Sequence, residues 1–279
     1  MLQDSLLTPR PAWLAAALAL IARHRFLEPR QVATLVGTDA RAVAEVFEGL
    51  AAERLLQKLT STSLTLGAPR ATAFALTRAG LATLATGEPI ARRIVRPLTS
   101  AFTLAHELRV NELALVLSRL DAQGALRLLS FTTERDRLAC VTHVNERGRP
   151  VRVPLVADAL AVIEVRGVRS GLLVEVDLGT VSATTMRRKY AGYHAWWADG
   201  GAARRFGLQA TRVVTIAPAA KRLARLRGLA IAAVDGRGSG LFWFVPHEAL
   251  DVSAPGRLGA EVAFVGKANA DRCHALLPP

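Results

Sequence analysis

The run at residues 171–178 constrains the fold of this chain more than any other stretch. Leu172, Leu173, Val174 and Val176 leave it no continuous polar face, so it reads as a short strand buried on both sides. Residues 211–216 form a second run of the same kind. Strands buried on both faces need helices packed over them, and helical patterns stand around these two. Residues 101–122 carry Ala105, Leu108, Leu115 and Val116 among their apolar positions, and residues 182–198 align Met186, Tyr190, Tyr193 and Trp197. Residues 219–227 read as a basic helix. Further strands are expected at 126–133, 138–144, 153–165 and, as the last one, 241–245, with Gly148 and Pro150 marking a turn. The resulting order, α-β-β-β-β-α-β-α-β, implies an α/β domain with a mixed sheet flanked by helices.

Two carboxylates sit where buried strands should not hold them. Asp158 falls in the expected strand 153–165, and Glu175 lies inside the apolar run. A buried charge is expensive unless it is paired or bound to a metal. Asp177 shares a face with Glu175, because strand side chains alternate. Three such carboxylates can hold Mg²⁺, which takes oxygen ligands and could generate hydroxide for attack on a phosphoryl centre. Lys189 is a candidate for orienting or activating that water. Three strand residues back from Leu178 span about 10 Å, and seven helical residues on from Ser182 also span about 10 Å, which puts Lys189 level with Glu175. Glu107, on the helix 101–122, is a further candidate carboxylate. In the alternative reading Asp177 caps the helix that starts near Ser182, Lys189 is its salt-bridge partner, and the core is inactive.

Ahead of this domain, residues 11–86 read as three helices, a two-stranded ribbon and a fourth helix. Pro11 opens the first helix, Pro29 the second, Gly37 ends the second, and Thr38 caps the third. This order resembles a winged helix-turn-helix, and Phe74-Ala75-Leu76-Thr77-Arg78-Ala79-Gly80 is similar to the strand-to-helix junction of such domains. The resemblance implies a third helix in the major groove and a wing on the backbone. Arg30, Arg41, Lys58 and Arg70 are its candidate DNA contacts. Asp39, Glu45, Glu48 and Glu53 near the reading helix oppose phosphate contact and leave protein docking or a structural role open. Residues 87–97, with two prolines and three arginines, read as a basic linker in which Arg92 and Arg93 could track a phosphate backbone. The domains are therefore expected at 1–86 and 98–279.

Charge supports a polyanionic partner. The 279 residues hold 36 Lys and Arg against 23 Asp and Glu, a net charge of +13, which favours phosphate neutralisation and counterion release. Lys221, Arg222 and Arg225 lie on the basic helix as further DNA contacts, or else form a solvated face. Two cysteines, Cys140 and Cys273, make neither a disulfide framework nor a zinc motif. No signal peptide and no apolar run of 18 residues is found, so a cytoplasmic location without membrane contact is expected. Gly236-Arg237-Gly238-Ser239-Gly240 reads as a flexible turn, and Trp196 and Trp197 as core.

The acidic cluster carries a resemblance of its own. Asp158 followed by Glu175-Val176-Asp177, with a helix before and after, resembles the PD-(D/E)xK restriction-endonuclease-like core. That core uses an Asp and a Glu for the metal and a Lys two residues later for water. Here Asp177 stands at the Lys position and Ala157 where the motif has Pro. More closely, Ala105-His106-Glu107-Leu108, Val174-Glu175-Val176-Asp177-Leu178-Gly179-Thr180 and Arg188-Lys189-Tyr190-Ala191-Gly192-Tyr193 resemble the bacterial replication-relaxation family. The resemblance implies a plasmid or mobile-element protein acting on double-stranded DNA in replication or relaxation, with other replication or mobilisation proteins, or a second copy, as partners. It implies a metal-dependent nickase with Mg or Mn on Asp158, Glu175 and Asp177, or a non-catalytic adaptor with no cofactor.

Overall fold

The computed structural model describes residues 10–60, 71–83, 101–133, 139–144, 148–208, 210–270 and 272–277. Two compact units divide the chain, Met1–Asn111 and Glu112–Pro279. The expected linker 87–97 lies outside the described residues. The division falls inside a long helix, α5 (Ala101–Ala122).

The first unit runs α1 (Leu14–His24), β1 (Phe26–Leu27), α2 (Pro29–Val36), α3 (Ala40–Ala52), β2 (Leu56–Thr60), β3 (Thr72–Leu76) and α4 (Arg78–Thr83). Its antiparallel sheet has the order β1-β3-β2. The two-residue β1 is a third strand that periodicity could not reveal. α2 starts with a capping box between Glu28 and Gln31 and stops at Gly37, whose φ of 70° suits glycine. α3 is capped by Asp39, not Thr38: its carboxylate accepts from the N–H groups of Arg41 and Ala42. Val43, Phe47 and Leu50 form the buried stripe of α3, and Phe47 meets Phe74 edge-on at 5.3 Å. At the strand-to-helix junction Gly80 is required by space. A Cβ there would stand 2.0 Å from the Leu55 carbonyl oxygen, so any side chain would push α4 off the ribbon. The first half of α5 also belongs to this unit. Asn111 Nδ2 donates to the carbonyls of His24 and Phe26, each at 2.9 Å, and Leu104 and Leu108 share a core cluster with Phe26, Ala73 and Ala75.

In the second unit α5 is followed by β4 (Arg127–Thr132), β5 (Ala139–Val144), β6 (Pro150–Leu155), β7 (Ala159–Val165), β8 (Val168–Val176), α6 (Ala183–Ala198), α7 (Gly201–Phe206), β9 (Ala210–Ala217), α8 (Ala220–Ala232), β10 (Gly238–Pro246), β11 (Glu261–Lys267) and β12 (Cys273–Ala275). The mixed seven-stranded sheet has the order β12-β11-β10-β9-β8-β7-β4, with parallel pairs at β8/β9 and β9/β10. Helices flank it, as expected for an α/β chain. One core cluster joins Leu173, Val213, Phe242 and Phe244 of the sheet to Met186, Tyr190, Tyr193 and Trp196 of α6 and Leu223, Leu226 and Ala230 of α8.

Three sequence expectations change here. The strand 153–165 is two strands, because β6 pairs with β5 in a separate hairpin and β7 pairs with β4 and β8. Apolar patterning cannot count the sheets a run belongs to. β10 is not the last strand: β11 and β12 follow, and Gly238–Gly240 of the expected loop lie within β10. On α6 the buried tryptophan is Trp196, while Trp197 is 42% exposed. Among the described residues no helix is long and apolar enough to cross a membrane.

Candidate functional site

The site forms where β7 begins and β8 ends. Asp158 lies one residue before β7. Its N–H donates to the Val174 carbonyl at 2.9 Å, and its Oδ2 accepts the Val176 N–H at 2.8 Å. The carboxylate thus extends the β7/β8 ladder by one bond and is fixed beside the residue between, Glu175. Alternation then turns Glu175 and Asp177 to the face covered by α6 and α8, with Leu173. Glu175 is 4% exposed and Asp177 2%.

α6 is positioned by its cap: Ser182 Oγ accepts from the Thr185 N–H at 3.2 Å. Lys189 and Tyr193 stand four residues apart, hence one above the other on the helix. Both reach Glu175. Lys189 Nζ lies 2.5 Å from Oε2, and the Tyr193 hydroxyl donates to Oε1. Next to them the Tyr190 and Thr215 hydroxyls pair at 3.0 Å. Burial raises the Glu175 carboxyl to about 7, with the nearby Asp158 charge adding to the rise and Lys189 and Tyr193 opposing it. Burial, reinforced by Glu175, likewise lifts the Tyr193 phenol well above its usual range.

Asp177 has a different partner. Arg222 of α8 holds it in a fork, Nε to Oδ2 at 2.6 Å and Nη2 to Oδ1 at 2.9 Å, and Nη2 also donates to the Val181 carbonyl at 3.0 Å. The Asp177 hydrogen bonds raise the Arg222 guanidinium further. Asp158, Glu175 and Lys189 therefore come together, while Asp177 faces Arg222 and is neither a helix cap nor a partner of Lys189. Glu107 belongs to the first unit, where both oxygens accept from Arg25 Nη1 at 3.0 and 2.9 Å. The sequence reading missed Tyr193 as a polar group of the site, although its four-residue spacing from Lys189 was visible.

A divalent cation is what the restriction-endonuclease resemblance implies here. The donor set does not fit one as arranged. Both Glu175 oxygens are engaged by side chains of α6, and both Asp177 oxygens by Arg222. Among the described residues no three His, Cys, Asp or Glu side chains gather as a metal site.

A family model for replication-relaxation proteins matches residues 18–211. The chain belongs to the replication-relaxation family. No curated protein and no solved structure matches it. The matched segment contains Asp158, Glu175, Asp177, Lys189 and Tyr193, whereas Arg222 and the rest of α8 lie beyond it.

The expected DNA contacts sort by exposure. Arg41 is 88% exposed and pairs with Glu45 at 3.0 Å; Lys58 pairs with Glu48 at 2.5 Å and Arg30 with Glu28 at 2.6 Å. Arg70, Arg92 and Arg93 lie outside the described residues. On α8 Lys221 and Arg225 are exposed, but Arg222 points inward to Asp177 and Arg227 to the carbonyls of Val265, Lys267 and Ala270.

Proposed function

We propose that this replication-relaxation protein binds double-stranded DNA of a plasmid or mobile element, through a winged helix and a nuclease-like α/β domain that works without metal-dependent cleavage. The order of α1 to β3, with its β1-β3-β2 sheet, supports the winged-helix reading, with Arg41 on the reading helix and Lys58 on the wing. The order α5-β4-β7-β8-α6-β9, with β5 and β6 as an inserted hairpin, supports the restriction-endonuclease-like reading. The observation that carries the non-catalytic conclusion is the pairing of both carboxylates at the end of β8 with protein cations, Glu175 with Lys189 and, one residue beyond the strand, Asp177 with Arg222. Such a domain serves as a DNA-binding or docking scaffold.

A metal-dependent nickase is the second reading, favoured by the meeting of Asp158, Glu175 and Lys189. Two measurements separate the readings. Duplex binding should fall by about 10³- to 10⁵-fold between 50 and 200 mM salt if six to ten phosphates are contacted; no binding at about 50 mM salt removes the DNA reading and leaves docking. Supercoiled plasmid incubated with Mg²⁺ or Mn²⁺ should stay intact. Nicking by the wild type that disappears in Glu175→Gln would establish the nickase instead.

A further inference from the structure

We infer that the outer face of the α6–α8 helix pair is the phosphate-binding surface of the second unit, with Arg188, Lys221 and Arg225 each neutralising a phosphate of a DNA duplex. This rests on the DNA-binding reading above. α6 carries Arg187, Arg188 and Lys189, α8 carries Lys221, Arg222, Arg225 and Arg227, and neither helix holds an Asp or Glu. The two helices pack against each other over one face of the sheet, so their outer sides form one surface. The buried ion pairs fix this platform from beneath, since Lys189 ties α6, and Arg222 ties α8, to the end of β8.

Direction sorts these cations. Lys189 and Arg222 turn inward to carboxylates, and Arg227 reaches the carbonyls of Val265, Lys267 and Ala270. Arg188, Lys221 and Arg225 are exposed and have no ion pair among the described residues. Lys221 and Arg225 stand one turn apart, about 6 Å along α8. Every other exposed residue of α8 is small, namely Ala220, Ala224, Gly228 and Ala232, which lets a phosphate backbone approach closely. The described candidates of the first unit differ, because Arg30, Arg41 and Lys58 each face a Glu. A phosphate must displace that carboxylate, whereas on α6 and α8 it displaces only solvent and is itself stripped of counterions.

The test measures duplex affinity of the full chain across salt. Arg188→Gln/Lys221→Gln/Arg225→Gln should lower the slope of log affinity against log salt by about three. Wild-type affinity should then fall about 40-fold further than the variant's between about 50 and 200 mM salt. The control removes the same charge at exposed positions outside both helices, as Arg166→Gln/Arg257→Gln/Arg272→Gln, and should lower the slope by less than about one. Both variants should melt with the wild type, as exposed substitutions do. If the first melts lower, its three single variants decide: each should lower the slope by about one, and unchanged slopes overturn the surface. A triple-variant slope equal to the wild type's, or an equal fall in the control, also overturns it, while wild-type binding keeps the DNA reading. A wild type that binds no duplex at about 50 mM salt removes the DNA reading and this surface with it.

Discussion

The two units handle buried polarity differently. Among the described residues the first unit buries amides, Gln31 and Asn111, whereas the second buries the carboxylates Glu112, Glu175 and Asp177. An amide is satisfied by backbone groups close at hand: Gln31 Oε1 accepts from the Glu28 N–H, and Asn111 bridges two carbonyls at the α1–β1 corner. A buried carboxylate needs a cation, and the second unit brings each of two from a separate helix. The ion pairs of the first unit are wetter. In Arg25–Glu107 the side chains are 25% and 28% exposed, against 15% and 2% in Arg222–Asp177. An arginine–carboxylate pair thus serves as a partly exposed clasp in one unit and as a condition of burial in the other.

Removing the arginine from each pair should break this comparison open. Arg222→Ala leaves Asp177 buried and unpaired, for an expected loss of about 3–5 kcal/mol in urea unfolding. Arg222→Ala costing no more than a surface change would mean that Asp177 relaxes to solvent and that the contrast between the units is false. Arg222 was also a candidate DNA contact, so Lys221→Ala and Arg225→Ala are the controls. They should leave stability within about 0.5 kcal/mol and weaken duplex binding.

The pH response should separate the units by sign. Glu175 has a carboxyl raised to about 7 by burial, among Lys189, Tyr193 and Asp158. Between its ordinary value of 4.5 and 7 the folded chain holds a proton that the unfolded chain has lost. The stability from that proton is full below 4.5 and fades as pH rises to 7. His24 runs the other way. Burial first, and Arg23 second, lower it from 6.5 to about 4, so its contribution is present above 6.5 and fades as pH falls toward 4. Melting temperatures from pH 4 to 8 should show Glu175→Gln flattening the near-neutral decline and His24→Gln flattening the acid one. A Glu175→Gln profile parallel to wild type would place the ionised carboxylate in the ordinary range.

Smaller effects complete the series. Arg25→Ala should cost about 0.5–1 kcal/mol, as a partly exposed pair does, detectable as a shift in the urea midpoint. Arg41→Ala should leave the midpoint unmoved. If α3 meets phosphate, it should also lower the slope of log affinity against log salt by about one. An unchanged slope would direct attention to protein docking.

Residues whose roles depend on neighbours in the chain are legible in the sequence. The apolar run around Val174 marks a buried strand, Gly37 ends α2, and Ser182 opens the α6 helix, each through local rules of burial and capping. The approach of Lys189 to Glu175 followed from two lengths, since the strand and the helix after it run back over equal distances. Long-range choices were not legible. Residues 153–165 are uniformly β-like, yet Pro150–Leu155 and Ala159–Val165 pair in different sheets. β11 and β12 lie beyond the last apolar run, and their place depends on β10. Gly266 marks that contact, since a Cβ there would fall 2.8 Å from the Phe242 Cβ.

The sequence by itself determined that this is an α/β chain with a surplus of positive charge and with carboxylates placed in apolar strands. Those properties follow from composition and from the two-residue and 3.6-residue periods, which act over a few neighbours. Tertiary structure alone decided which cation answers Asp177. Lys189 is 14 residues from Glu175, and Arg222 is 45 residues from Asp177. Asp177 and Arg222 carry no spacing rule that joins them, because they meet only when β9 lies parallel to β8 and α8 packs back beside α6. A charge in an apolar strand states a need for a partner; the packing of helices over the sheet supplies the partner, because only there do distant side chains share a site too dry to leave either charge alone.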